Sequence, residues 1–210
     1  MDGVEAKDGL LLALARLEGL GRRRRVLLRR VIRELGDNAP LILAFVLSAP
    51  MALPATIPGS SILIGIVLML LAYAAGRGRA VRVPACVGGK VVGGAWVGSL
   101  AAASGRAVRW FGRAARSRWF WLTGGWSRAL LCVLVGWNGF LLALPLTALP
   151  LTNTAPGLAS LLLCGGLLYR DGALAVLGVC MSVVATVYLG GVTVALVWVG
   201  WEALVHLFGG

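Results

Sequence analysis

Apolar residues run in long blocks along this chain, and each block is cut by proline or closed by arginine. The most regular block is Pro145–Gly172. Pro145, Pro150 and Pro156 break it around Asn153, an apolar arm Leu158–Tyr169 follows, and Arg170–Asp171–Gly172 ends it. The same order stands earlier in Pro50–Gly78, where Pro50, Pro54 and Pro58 precede the arm Ser60–Ala75 and then Arg77. Proline removes a backbone donor and clashes with the preceding turn. Each cluster therefore predicts a helix, a break and a return helix, and the two together predict an all-α fold with a repeated, proline-broken hairpin unit.

Arm length limits what these units can do. The segment before the first break, Leu41–Ala49 with Pro40 suited to its opening turn, allows a helix of about 10–13 residues, roughly 15–20 Å. A hydrocarbon core is about 30 Å thick. The units are either thin two-span hairpins or re-entrant loops, and broken backbone at membrane depth survives only where protein or water covers it. In the second unit the first arm is Ala129–Leu144. Residues 172–206 form the longest apolar run, more than the roughly 20 residues of one upright crossing. Tilt or a break at Gly190–Gly191 would absorb the excess.

Two other stretches carry helical periodicity with a basic face. In residues 1–37, Leu10, Leu14 and Leu17 share one face, and Arg22–Arg25 opens a second predicted helix with Leu28, Val31, Ile32 and Leu35 as its apolar stripe. Farther on, Arg106, Arg109, Arg113 and Arg116 repeat at three and four residues, with Val108, Phe111, Ala115 and Trp119 opposite. Basic amphipathic helices of this kind lie in the membrane interface against anionic lipid, and Trp119, Phe120, Trp121 and Trp126 suit the headgroup zone. The expected organisation is a cytoplasmic basic segment (1–37), a first hairpin unit (38–78), a basic interfacial segment (79–128), a second hairpin unit (129–171) and a C-terminal membrane segment (172–210).

Composition turns this pattern into a polytopic membrane protein. The 210 residues are 59% hydrophobic and 13% charged, against about 25% charged in soluble domains, and the mean hydropathy is +0.89. Too little polar surface exists to cover the chain in water. The net charge of +12 is segregated: nine Lys/Arg in residues 1–37, ten in residues 77–128, and Arg170 alone beyond. Basic runs that flank apolar spans point to cytoplasmic loops under the positive-inside rule and away from nucleic-acid binding. A span through Val87–Ala103 would carry Arg106–Arg118 outside, so none is expected there, and Gly172 is expected on the cytoplasmic side with the N-terminus.

Candidate chemistry is sparse. Cys86, Cys132, Cys164 and Cys180 show no metal spacing, and His206 is the one histidine; a structural zinc site needs four ligands, usually in local pairs. No metal, cofactor, paired carboxylates or phosphate loop is expected, and no enzyme. The better candidates are polar residues at the breaks: Thr56, Ser60 and Ser61 in the first unit, Thr152, Asn153 and Thr154 in the second, with Asn138 at lipid level nearby. A helix start exposes backbone donors and a positive dipole end. Two starts that meet would form a polar pocket for an ion or small anionic solute, as in transporters with broken helices. The plainer reading is that Ser60, Asn153 and Thr154 cap helices, that Asn138 bonds to a neighbouring helix, and that Asp171 caps the helix after a turn relaxed by Gly172.

The run LPLTNTAPGLASLLLCGGLLYRDGALAVLG resembles the signature of the ExoD family of bacterial exopolysaccharide-synthesis membrane proteins. Asn153, Pro156, Gly166, Arg170, Asp171, Gly172 and Gly178 stand at the matching positions. The first unit is similar through ALPATIPGSS, which includes Pro58 and Gly59, and through Gly76–Arg77. This chain departs from the pattern at Thr152 (usually glycine), Gly157 (usually alanine), Tyr73 (near a usual glutamine) and Arg82–Val83–Pro84 (usually Trp-Leu-Pro). The resemblance implies an inner-membrane protein that supports exopolysaccharide synthesis or envelope and alkaline-stress homeostasis. It implies the polysaccharide-synthesis machinery as a partner. Membrane lipids are the partners expected from charge, and a homo-oligomer from the glycine faces Gly165–Gly166 and Gly190–Gly191. The alternatives are a small transporter or channel working through the inter-repeat pocket, or a scaffold recruiting partners through its basic helices.

Overall fold

A computed structural model describes residues 25–27, 38–52, 60–78, 91–93, 123–144 and 152–208. Five helices make up most of these: α1 (Ala39–Met51), α2 (Ser60–Gly76), α3 (Gly125–Ala143), α4 (Thr154–Tyr169) and α5 (Gly172–Phe208). They bear out the helical fold. A short antiparallel ladder joins β1 (Arg25–Leu27) to β2 (Val91–Gly93), with Val26 opposite Val92. One expectation changes there. Arg25–Leu27 is extended rather than helical, because β-branched Val26 finds a cross-strand partner that its local pattern could not disclose. Val91–Gly93 is likewise extended.

Helix ends depart from expectation in three places: α3 starts at Gly125 rather than Ala129, and the other two departures are at proline. Pro50 lies within the last turn of α1, so the helix reaches Met51. Pro156 falls in the first turn of α4, which starts at Thr154 rather than Leu158. First-turn N–H groups have no intrahelical acceptor, so proline costs no hydrogen bond there. α5 continues unbroken through Gly190–Gly191 for 37 residues, about 55 Å.

Burial sorts the helices into inner and outer. α1 buries ten of its 13 residues and α4 twelve of 16, which places both inside. α2, α3 and α5 surround them and turn apolar side chains outward: Leu63, Leu70, Leu130, Val133, Val183, Val187 and Val197 are all exposed. Such a surface fits a hydrocarbon solvent. Among the described residues, two stretches, Gly125–Ala143 and Gly172–Trp198, are long and apolar enough to cross a membrane.

Glycine contacts set the register. A Cβ on Gly76 would lie 3.3 Å from the Cys132 Cβ, while Gly65 meets Gly139 and Ala143, so α2 and α3 run antiparallel. Gly166 lies against Ala175 and Gly178 against Leu163, so α4 and α5 are antiparallel too. Gly166 is thus spent within the chain. α1 packs on α2 and α4, and α3 packs on α4, α2 and α5. The end of α2, the start of α3, the end of α4 and the start of α5 gather at one end of the bundle, which carries Arg77, Arg128 and Arg170.

Candidate functional site

The polar interior is built where α3 meets α5. Asn138 is fully buried and donates from Nδ2 to Ser182 Oγ at 2.7 Å and to the Leu134 carbonyl at 2.8 Å. Ser182 Oγ donates in turn to the Gly178 carbonyl at 2.9 Å. One residue before Asn138, Trp137 Nε1 donates to Thr186 Oγ1 at 2.9 Å, and Thr186 donates to the Ser182 carbonyl at 2.7 Å. Ser182 and Thr186 are four residues apart, hence one above the other on α5. Asn138 therefore bonds to a neighbouring helix, as its lipid-level position led us to expect.

Among the described residues, three buried side-chain oxygens have no hydrogen-bond partner: Asn138 Oδ1, Ser160 Oγ and Ser61 Oγ. Two of them lie at one depth. The α4–α5 register that pairs Gly166 with Ala175 and Leu163 with Gly178 brings Ala159–Ser160 level with Ser182 one turn farther on, and Ser182 holds Asn138. Counted along their helices, this level is about 15–20 Å from the arginine end. Ser61 lies one turn before Gly65, which crosses α3 at Gly139–Ala143, and so sits closer to the second break. An unpartnered buried hydroxyl or amide oxygen costs about 1–3 kcal/mol. A water, ion or polar solute would relieve that cost.

The other break residues divide. Thr152 is buried and Thr154 opens α4. Asn153 occupies the N-cap position, yet its side chain makes no capping hydrogen bond; its carbonyl accepts from the Gly157 N–H at 3.0 Å. Capping by Asn153 is thus not what the residue does. Pro156 is buried in the first turn of α4. Ser60 begins α2. Thr56, Pro58, Gly59, Arg106, Arg109, Arg113 and Arg116 lie outside the described residues. The two helices that start after the proline clusters each approach the end of another helix. α2 just after the first break meets α3 at Gly65–Gly139, and α4 just after the second meets Met51 at the end of α1 through Gly157.

Ser160 and Ser182 were missed in the sequence. The signal was there: each is a hydroxyl inside an apolar run, the criterion that had picked out Asn138.

At the arginine end, Arg170–Asp171–Gly172 is a built corner. Arg170 ends α4 in the left-handed conformation (φ 52°, ψ 38°), and the Asp171 N–H returns to the Gly166 carbonyl at 2.9 Å, a Schellman closure. Asp171 Oδ1 accepts from the Ala173 N–H at 2.9 Å and so caps α5, as expected. The left-handed residue is Arg170 and not Gly172, because α5 begins at once and Gly172 already belongs to it.

A curated relative, Protein ExoD of Rhizobium meliloti (strain 1021), is 29% identical over 184 residues, which covers 87% of this chain and 76% of the relative. No solved structure matches. The family model described as "Exopolysaccharide synthesis, ExoD" matches residues 10–191, a range that includes Asn138, Ser160, Ser182 and the Arg170–Asp171–Gly172 corner; the chain belongs to the ExoD family.

Proposed function

We propose that this chain is a multi-pass protein of the bacterial inner membrane, arginine end and N-terminus toward the cytoplasm, that supports exopolysaccharide synthesis by admitting a small polar solute or ion to its interior rather than by transferring sugar. The family supports the process, and the charge placement supports the orientation. The observation that carries the solute reading is the pair of partnerless oxygens, Asn138 Oδ1 and Ser160 Oγ, at one level of three helices. That level lies near the middle of a hydrocarbon core about 30 Å thick, where secondary transporters bind substrate.

The packing also favours a duplicated pair of units. Exchanging α1 with α3 and α2 with α4 maps the α1–α2 contact onto α3–α4 and the α1–α4 contact onto α2–α3, and all four contacts exist. In both crossings a helix end before a break meets a helix start after the other break.

Ser61→Ala and Ser160→Ala test the proposal together. If the hydroxyls were structural only, removing unpartnered groups would leave function intact and raise stability. The solute reading expects the double variant to accumulate and fold normally yet fail to restore exopolysaccharide output to a strain lacking the gene. Wild-type output from the double variant overturns it. In proteoliposomes, solute or ion flux above that of empty vesicles should fall with the same substitutions. For orientation, Trp126→Cys in a cysteine-free background should react with a membrane-impermeant maleimide from the cytoplasmic face; reaction from the opposite face alone refutes the assigned sidedness.

A further inference from the structure

A second site stands apart from the polar level, at the arginine end. A cavity of about 240 Å³ is lined by Thr123, Gly124, Gly125, Arg128, Leu167 and Arg170. Two arginines from different helices line it: Arg128 from the first turn of α3 and Arg170 from the end of α4. Guanidinium groups present paired donors that match phosphate oxygens. Arg170 is, moreover, kept in a left-handed conformation that disfavours any side chain by about 1–2 kcal/mol. A non-glycine residue held in that region points to a task for the side chain, and here the residue borders the cavity.

The backbone between them completes an anion cradle. Gly124 is the N-cap of α3, with no side-chain capping bond and no acidic residue in the following turn. A Cβ at Gly124 or at Gly125 would meet nothing within 4 Å, so the backbone there is open to approach. Helix starts of this kind donate N–H groups to anions. Trp126, 88% exposed on the same turn, and Arg77, stacked 4.5 Å over the Tyr73 ring, mark this end as the level of a membrane–water interface.

We propose that this cavity binds a phosphate group, held between Arg128 and Arg170 against the start of α3. The phosphate belongs to a lipid headgroup or to a soluble phosphate, and the site makes the same contacts with either. The proposal is independent of the solute reading, since none of these residues lines the Asn138–Ser160 level.

The test uses the full chain purified in detergent, with Arg128→Gln, Arg170→Asn and, as a control at the same end outside the cavity, Arg77→Gln. Asparagine tolerates the left-handed turn, so loss of fold should not confound Arg170→Asn. Should that variant nonetheless aggregate, Arg128→Gln decides alone. One arm titrates inorganic phosphate and follows tryptophan fluorescence. The other counts phosphatidylglycerol molecules retained in native mass spectrometry. A response to inorganic phosphate that weakens tenfold or more in the two cavity variants, with Arg77→Gln unchanged, supports the site with a soluble ligand. Loss of one retained lipid in the same two variants, without a response to inorganic phosphate, supports it with a lipid ligand. If neither probe distinguishes the cavity variants from wild type, or if Arg77→Gln weakens binding as much, the proposal is overturned.

Discussion

The crossing of α2 and α3 makes a quantitative claim about Gly65. A Cβ there would collide with the Gly139 carbonyl oxygen and stand 2.8 Å from the Ala143 backbone nitrogen and 3.1 Å from the Ala143 Cβ. The reciprocal Cβ on Gly139 would stand 2.9 Å from the Gly65 carbonyl oxygen. Both obstacles are backbone, so no side-chain rotation relieves them and the helices must part. Gly136, on the same α3 face, is the internal reference, since its Cβ would sit 3.6 Å from the Ala72 Cβ, an ordinary contact. Gly→Ala in a helix gains up to about 1 kcal/mol of propensity at either position. The difference between the two variants therefore isolates the steric cost, about 1–3 kcal/mol for overpacking. With a midpoint shift of roughly 2–4 °C per kcal/mol for a chain of this size, Gly65→Ala should melt roughly 2–12 °C below Gly136→Ala. The assay is thermal unfolding in one detergent, read by circular dichroism and by loss of the monodisperse peak. Midpoints within a degree of each other would refute the crossing, because no packed interface there could accept a methyl group free of cost.

Asp171→Ala should lose about 0.5–2 kcal/mol of stability by uncapping α5, and Asp171→Asn much less, since the amide oxygen still reaches the Ala173 N–H; equal melting of the two would rule out the cap. A double-mutant cycle on Asn138→Ala and Ser182→Ala should give a coupling of about 0.6 kcal/mol, up to about 1.7, as for hydrogen bonds between membrane helices; zero coupling would remove the α3–α5 bond. Arg170→Gly trades a left-handed cost of about 1–2 kcal/mol for about 0.5–1 kcal/mol of added chain freedom, so its thermal midpoint should hold or rise slightly. A clear fall would mean the arginine side chain holds the corner together. Of the cysteines among the described residues, Cys180 is exposed and Cys132 and Cys164 are buried, so a lipid-soluble maleimide should modify Cys180 first, as read by peptide mass analysis.

What could be read in the sequence was whatever depends on neighbours along the chain. Proline clusters located both breaks, and the apolar arms located four helices to within a few residues, because a missing N–H acts on its own turn. The same rule misplaced the start of α4, since a proline at Pro156 is harmless in the first turn and harmful only farther in. Asp171 was legible as a cap because its partner, Ala173, is two residues away. Asn138 was legible as a polar group needing a partner, but which partner was not. Ser182 stands 44 residues off, and only the antiparallel packing of α4 on α5 brings it and Ser160 to one depth. The strand at Arg25–Leu27 was hidden for the same reason: its cause is a register with Val91–Gly93 far along the chain.

The arrangement of short helices inside and long helices outside follows from one energy. On the membrane reading, α1 with 13 residues rises about 20 Å and α4 with 16 about 24 Å, so neither reaches across a core of about 30 Å. At least one end of each then lies at hydrocarbon depth, where every unpaired carbonyl or N–H costs several kcal/mol if lipid touches it. Such an end is tolerable only when other protein surrounds it. The structure meets that demand: Met51, the last residue of α1, is buried against Gly157, and Ser48 Oγ donates to the Ala44 carbonyl at 2.7 Å within that final stretch. α3 and α5, the two described helices long enough to cross, turn leucine, valine and tryptophan outward, and the 17-residue α2 likewise exposes Leu63, Ile66 and Leu70. The same enclosure that shields the broken ends also creates an interior with backbone and hydroxyl groups at mid-depth and no lipid access. The polar level at Asn138, Ser160 and Ser182 lies in that enclosed interior, and on the proposed solute reading the unpartnered oxygens of Asn138 and Ser160 are where a solute would find its first contact.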